Sequence, residues 1–279
     1  MDFLNKLLNP FKNNDRQYKD LSKDSKQVIP NPPSELLLYC RDIAGEQIQK
    51  HMAILNDCKW IRAEYTYPAF DSMNFIYKNK IFSVVIDIQD KNEKSYLPEE
   101  YKKRQLYASK NYNLIPCKFP VIVPDPHNPE VDKIKPKSNG WNLYNTETNE
   151  EIIPEHLATV EKIEMSEWEM HNFGIKFVIK YLLSQNIKIH SFQDTLEVDP
   201  QIWFEDKNGN KCWLIVRCEK LAEKEVKKPP KLNEIIRRCF KHEGYFAGIN
   251  LCPVNDKNLY RGENIKIEFN GIEKIHSII

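Results

Sequence analysis

One order of elements occurs twice along this chain, and that recurrence limits the fold more than any other feature. Ser34 is an N-cap residue before Glu35–Cys40, and Ile48, Met52 and Leu55 follow at helical spacing, which predicts a helix. Strand-like segments come next at 59–66, 72–78 and 81–88, with Lys78-Asn79-Lys80 as the tight connection between the last two. A second helix starts near Pro98-Glu99-Glu100, where proline suits an early helical position, and a strand over 114–123 closes the set. The same order of helix, three strands, helix and strand returns over 171–254. Its first helix carries Phe177, Val178, Tyr181 and Leu182, and Lys207-Asn208-Gly209-Asn210 marks a hairpin turn between its second and third strands. Leu55 matches Leu183, Ile61 matches Ile189, Asp71 matches Asp199, and Val84–Ile86 matches Leu214–Val216. At a slightly larger spacing, Arg104 matches Arg237, Tyr112 matches Tyr245, Pro120 matches Pro253 and Val121 matches Val254. Collinear matches of this kind point to an internal duplication.

The expected fold is therefore α/β in the α+β sense: two tandem α-β-β-β-α-β units, each with a mixed sheet flanked by helices and an appended β-hairpin. Residues 1–33 read as a tail, in which Pro10 stops any helix formed by Phe3, Leu4, Leu7 and Leu8. A solvated arm and a small amphipathic anchor for a partner are both open readings of it. The first copy covers 34–123 and the second 164–279. Between them, 124–163 is rich in Pro, Asn and charge and reads as a linker, within which Trp141–Tyr144 and Glu151–Ile153 are spaced to pair as a hairpin. At the C-terminus, Asn270-Gly271 between Ile265–Phe269 and Ile272–Ile275 predicts a second hairpin.

With 279 residues, 41% of them hydrophobic and 29% charged, the chain is long enough to bury a substantial core. Its longest apolar runs, Phe82–Ile86 and Trp213–Val216, are strand-sized, so no membrane span and no membrane partner is expected. Residues 1–13 lack a basic leader and a continuous apolar segment, and no signal peptide is expected. Seven scattered cysteines without CxxC or zinc spacing fit reduced thiols and a cytoplasmic location. The net charge of +1 excludes a globally basic nucleic-acid coat but leaves room for a local basic face. Glycine-rich phosphate loops, HExxH, GxSxG and Cys/His constellations are all missing, so neither an organic cofactor nor nucleophilic catalysis is expected. Trp60, Trp141 and Trp203 read as core or hairpin anchors rather than base-stacking platforms.

An acid at a strand start, Asp71, followed by Asp87-Ile88-Gln89 at the end of the next strand, resembles the metal-site pattern of the PD-(D/E)xK nuclease superfamily, the restriction-endonuclease-like fold. The resemblance covers roughly 35–123 and 165–254 in the order of elements. It implies that Asp71 and Asp87 hold a divalent metal, magnesium, since that ion takes hard oxygen ligands and activates a bound water. Gln89 then stands at the lysine position, where it hydrogen-bonds a water without supplying charge. The catalytic set implied is Asp71, Asp87 and Gln89, with Glu46 on the first helix as an auxiliary acid. Lys103 and Arg104 on the second helix are candidate phosphate contacts, and so are Arg237 and Arg238 within the basic stretch Lys220–Lys241. In the second copy Asp199 persists, but Arg217 replaces the second acid and Glu219 occupies the lysine position. A cation there opposes a metal, so an Asp199–Arg217 ion pair is expected instead. Two functions follow: a non-catalytic binding or scaffold protein made of duplicated degenerate units, with a protein or nucleic acid as partner, or a metal-dependent nuclease active in the first copy alone.

Overall fold

The structure is a computed structural model and describes residues 34–63, 73–196, 198–220, 226–254 and 257–275. The expected tail over 1–33 and Asp71 lie outside these residues. The chain divides into two compact units, with the change from one to the other between Thr159 and Val160.

In the first unit, helix α1 (Glu35–Met52) leads into strands β1 (Cys58–Arg62), β2 (Met73–Tyr77) and β3 (Lys80–Gln89). Helix α2 (Glu99–Tyr112) then crosses to β4 (Ile115–Ile122), and β5 (Lys135–Pro136), β6 (Leu143–Asn145), β7 (Glu151–Ile152) and the one-turn α3 (Pro154–Leu157) follow. The sheet order is β1-β2-β3-β4-β6-β7, with β5 also on β4. Only β3 and β4 are parallel, as a helical crossover permits, and every other pair is antiparallel. The segment read as a linker thus adds β5, β6 and β7 to this sheet, and its expected hairpin is β6–β7.

The second unit has α4 (Glu167–Ser184), β8 (Lys188–Phe192), β9 (Ile202–Glu205), β10 (Lys211–Lys220), α5 (Leu232–Arg238), β11 (Glu243–Pro253), β12 (Ile265–Phe269) and β13 (Glu273–Ile275). Its sheet runs β12-β11-β10-β9-β8, with β13 also on β11 and with β10 and β11 as the parallel pair. Two mixed sheets flanked by helices, in tandem, are what the repeated pattern predicts.

Local chemistry explains the elements. Ser34 accepts from Leu37 N at 3.2 Å, and Ser166 with Glu169 forms a complete capping box at the start of α4. Leu36, Cys40, Ala44, Ile48 and Met52 recur every fourth residue and bury one stripe of α1 against Phe82, Val84, Ile86 and Ile88. In the second unit Ile175, Val178 and Leu182 meet Cys212, Leu214 and Val216 in the same way.

Ladder register shows the likeness of the two units more plainly than the residue matches do. Trp60 and Arg62 face Phe75 and Asn74 across a one-residue irregularity, and Ile189 and Ser191 face Phe204 and Trp203 across another at the same place. By this register Trp60, not Ile61, is the counterpart of Ile189, and for the last strand too the register overturns the sequence matches. Asp87 lies opposite Pro120 and Arg217 opposite Gly248, so the counterpart of Pro120 is Gly248, not Pro253. The core faces agree: Cys117, Phe119 and Val121 line one core, and Ala247, Ile249 and Leu251 line the other. Pairing Val121 with Val254 shifts the register by an odd number of residues, which turns every side chain to the wrong face.

The C-terminal segment also departs from expectation. β12 and β13 do not pair with each other; each runs antiparallel to β11, at Ile249–Pro253 and at Gly244–Phe246 respectively. Asn270-Gly271 therefore makes a bulge, with Gly271 at φ +99°, and the chain continues along the edge. The long β11 edge offers partners over its whole length, while Phe269 packs on Phe177 and Ile275 joins the Trp213 cluster.

Trp213 is locked by its Nε1 donation to His242 O at 3.0 Å and is 2% exposed. A Cβ at Gly244 lies 2.2 Å from its ring. Gly244→Ala is expected to cost about 1–3 kcal/mol through overpacking. Gly140→Ala, with nothing within 4 Å, serves as the near-neutral control. Paired thermal melts read the difference, and equal melting temperatures reject the close-packing argument.

Candidate functional site

The two faces of the first sheet differ in chemistry. The α1 face is apolar, whereas the face toward α2 holds buried Ser83, Asp87 and Gln89, and α2 itself buries Gln105 and Ser109. Gln105 seats α2 by donating from Nε2 to Ser83 O at 2.5 Å and Cys117 O at 2.7 Å, and its Oε1 accepts from Thr146. In the second unit the corresponding layer is apolar, with Trp213, Ile215, Phe246 and Ile235 in one cluster.

Asp87 belongs to the polar face, because its neighbours Ile86 and Ile88 alternate toward α1. Its side chain is 0% exposed. Oδ2 accepts from Gln89 Nε2 at 2.7 Å and lies 3.4 Å from Lys118 Nζ, and Oδ1 accepts from Ser95 Oγ. The loop after β3 folds back to deliver Ser95: Gln89 and Ser95 form an isolated bridge, and Tyr96 N donates to Ile88 O at 2.8 Å. Lys118 comes from β4, between Cys117 and Phe119, whose core-facing positions turn the lysine to the side of Asp87. Both carboxylate oxygens are thus engaged, and the Lys118 ammonium stands beside Oδ2, on the ground that a divalent cation would need. Among the described residues this arrangement does not fit a magnesium site, and Asp71, the other expected ligand, lies outside them.

Of the residues expected to act together, Asp87 and Gln89 meet. Glu46 is exposed on α1. Lys103 is exposed, and Arg104 pairs with Glu100 at 3.1 Å and lies 4.9 Å over the Tyr101 ring, so neither reaches Asp87. Arg237 and Arg238 are exposed in the last turn of α5, where cations complement the helix dipole. Lys118 and Ser95 were missed by the sequence reading. A lysine inside the apolar alternation of Ile115–Ile122 was the available signal for the first.

The second unit replaces this network with the expected ion pair. Arg217 Nη2 donates to Asp199 Oδ2 at 2.6 Å, and fully buried Gln201 donates to Asp199 Oδ1 at 2.8 Å. Arg217 Nη1 is tied to Val216 O at 2.9 Å, and Glu219 accepts from Lys227 N at 3.3 Å. Beside them His171 is 4% exposed, and its Nε2 has no hydrogen-bond partner. Burial, then the charge of Arg217, pushes its pKa from 6.5 down to about 4. Below pH 6.5 the unfolded chain takes up a proton that the folded chain refuses. Stability therefore falls as pH drops from 6.5 toward 4, by about 2–3 kcal/mol in total. Denaturant unfolding at neutral and acidic pH measures this, and His171→Leu is expected to flatten the slope. An unchanged slope in the variant assigns the acid sensitivity elsewhere.

Among the described residues, Asp206, Cys212 and Glu243 bring three metal-capable atoms within 4.8 Å of one another. Their lone pairs have other uses. Asp206 caps Asn208 N and Asn210 N, and Glu243 accepts from Lys274 at 2.7 Å. Burial pushes the Cys212 thiol up to about 11, which leaves it protonated and a poor ligand.

Fold and site together define a tandem α+β protein in which each unit holds a buried or half-buried aspartate neutralised by an internal cation. A family model described as a domain of unknown function (DUF8840) matches residues 168–275, from the start of α4 to the end of β13. No curated protein and no solved structure matches the chain. Among the described residues, no helix is long and apolar enough to cross a membrane.

Proposed function

We propose that this protein is a non-catalytic binding protein built from two degenerate nuclease-like units, with a protein or a nucleic acid as its partner. The observation that carries this reading is the closure of Asp87: 0% exposed, hydrogen-bonded at both oxygens and paired with Lys118. A carboxylate that coordinates magnesium must present free lone pairs toward water and phosphate. Asp199 is consumed in the same manner by Arg217. The ancestral acids then serve as interior struts that hold β3 to β4 and the Asp199 loop to β10.

The test is calorimetric titration of magnesium and manganese into the full chain and into Asp87→Ala. Cleavage assays on single- and double-stranded DNA and RNA accompany it. Neither metal-dependent heat nor cleavage is expected from either protein. Cleavage by the wild type that disappears in Asp87→Ala would establish instead a metal-dependent nuclease confined to the first unit.

A further inference from the structure

The chain carries a net charge of only +1, yet residues 226–242 hold six Lys or Arg and a single Glu. Within that stretch Phe240 is 74% exposed, directly after the α5 turn that carries Arg237 and Arg238. Lys241 lies over its ring at 5.8 Å. A phenylalanine this exposed gains nothing from the fold, while the apolar clusters nearby bury Trp213 and Phe246. The corresponding crossover helix of the first unit repeats the combination. Tyr107 on α2 is 73% exposed, and Lys103 and Lys110, both exposed, share its stripe at helical spacing. That stripe lies opposite Gln105 and Ser109, which face the sheet, so it is separate from the Asp87 network.

We infer that the exposed surface where α5 ends, made of Phe240 with Arg237, Arg238 and Lys241, binds single-stranded nucleic acid. The inference rests on the non-catalytic binding reading and names its partner. Cations flanking a solvent-facing ring suit a strand whose phosphates meet the cations while an unstacked base lies on the ring. An acidic protein surface would use the cations but leave the ring idle, and a duplex would keep its bases out of reach.

The experiment is fluorescence anisotropy of labelled oligothymidine, oligouridine and a duplex of equal length, with the full chain, without divalent metal, over a series of salt concentrations. The wild type is expected to bind both single strands more tightly than the duplex, with affinity falling linearly in log–log against salt. Phe240→Ala is expected to weaken binding by about 5- to 100-fold while leaving the salt slope unchanged, and Phe240→Trp to preserve it. Arg237→Ala/Arg238→Ala is expected to reduce the slope by roughly 1.4. Circular dichroism controls for folding. Absence of salt-sensitive binding, equal affinity for the duplex, or wild-type affinity in Phe240→Ala would each overturn the inference and leave the non-catalytic reading standing. Magnesium-dependent cutting of a strand bound in this way would overturn that reading and leave the surface intact.

Discussion

Lys118→Met is expected to be among the most destabilising substitutions in the first unit, at about 3–5 kcal/mol. Asp87 is 0% exposed, and Lys118 is its ion-pair partner at 3.4 Å. Without the ammonium, a full negative charge stays buried with only the Gln89 amide and the Ser95 hydroxyl to solvate it. The loss would take a large part of the stability of an ordinary domain. Asp87→Asn in the Lys118→Met background removes the uncompensated charge and is expected to recover most of it, a coupling that a double-mutant cycle isolates. Asp87→Ala alone is expected to cost less than Lys118→Met, because Lys118 is 16% exposed and its long stem can carry the ammonium toward water. Hydrogen exchange of β3 and β4 amides in denaturant reads these differences by unit. If Lys118→Met keeps the wild-type protection, the buried charge is not what holds this face together.

Arg261→Met in the second unit is expected to cost a similar amount, about 3–5 kcal/mol. Arg261 and Glu169 are 1% and 5% exposed, and two parallel bonds of 2.7 and 2.8 Å join them. Glu169 also closes the capping box, accepting from Ser166 N and Oγ. One carboxylate thus starts α4 and anchors the segment that precedes β12. Arg261→Lys is expected to restore little, since an ammonium cannot reproduce the two-pronged geometry. Glu169→Gln combined with Arg261→Met keeps a capping acceptor and removes both charges, and is expected to be milder than Arg261→Met alone. Hydrogen exchange of β10 and β11 amides in denaturant follows this unit, and equal losses in the single and double variants would count against the buried-charge argument.

The repeat was legible because its signals are local. Ser34 is a good cap with an apolar stripe behind it, Phe177, Val178, Tyr181 and Leu182 recur at helical spacing, and strands such as Lys80–Gln89 alternate between two faces. Asn270-Gly271 was misread for the same reason. The dipeptide tolerates positive φ, which serves a hairpin turn and a bulge equally, and the long β11 edge decides between them. The expected Asp199–Arg217 pair formed because opposite charges on adjoining elements had few other ways to be buried.

Asp87 shows where local inference ends. An acid between Ile86 and Ile88 had to face away from the α1 core, and alternation alone determines that much. Whether it met a metal, water or a lysine depended on the parallel register that sets Val85 beside Lys118, and on a loop that returns Ser95 to the end of β3. Cap chemistry and side-chain periodicity act over a few residues, so the order and number of elements are written in the chain itself. The partner of a buried charge is chosen across a sheet, where the desolvation penalty favours whichever cation the register brings within reach, and only the tertiary structure supplies that register.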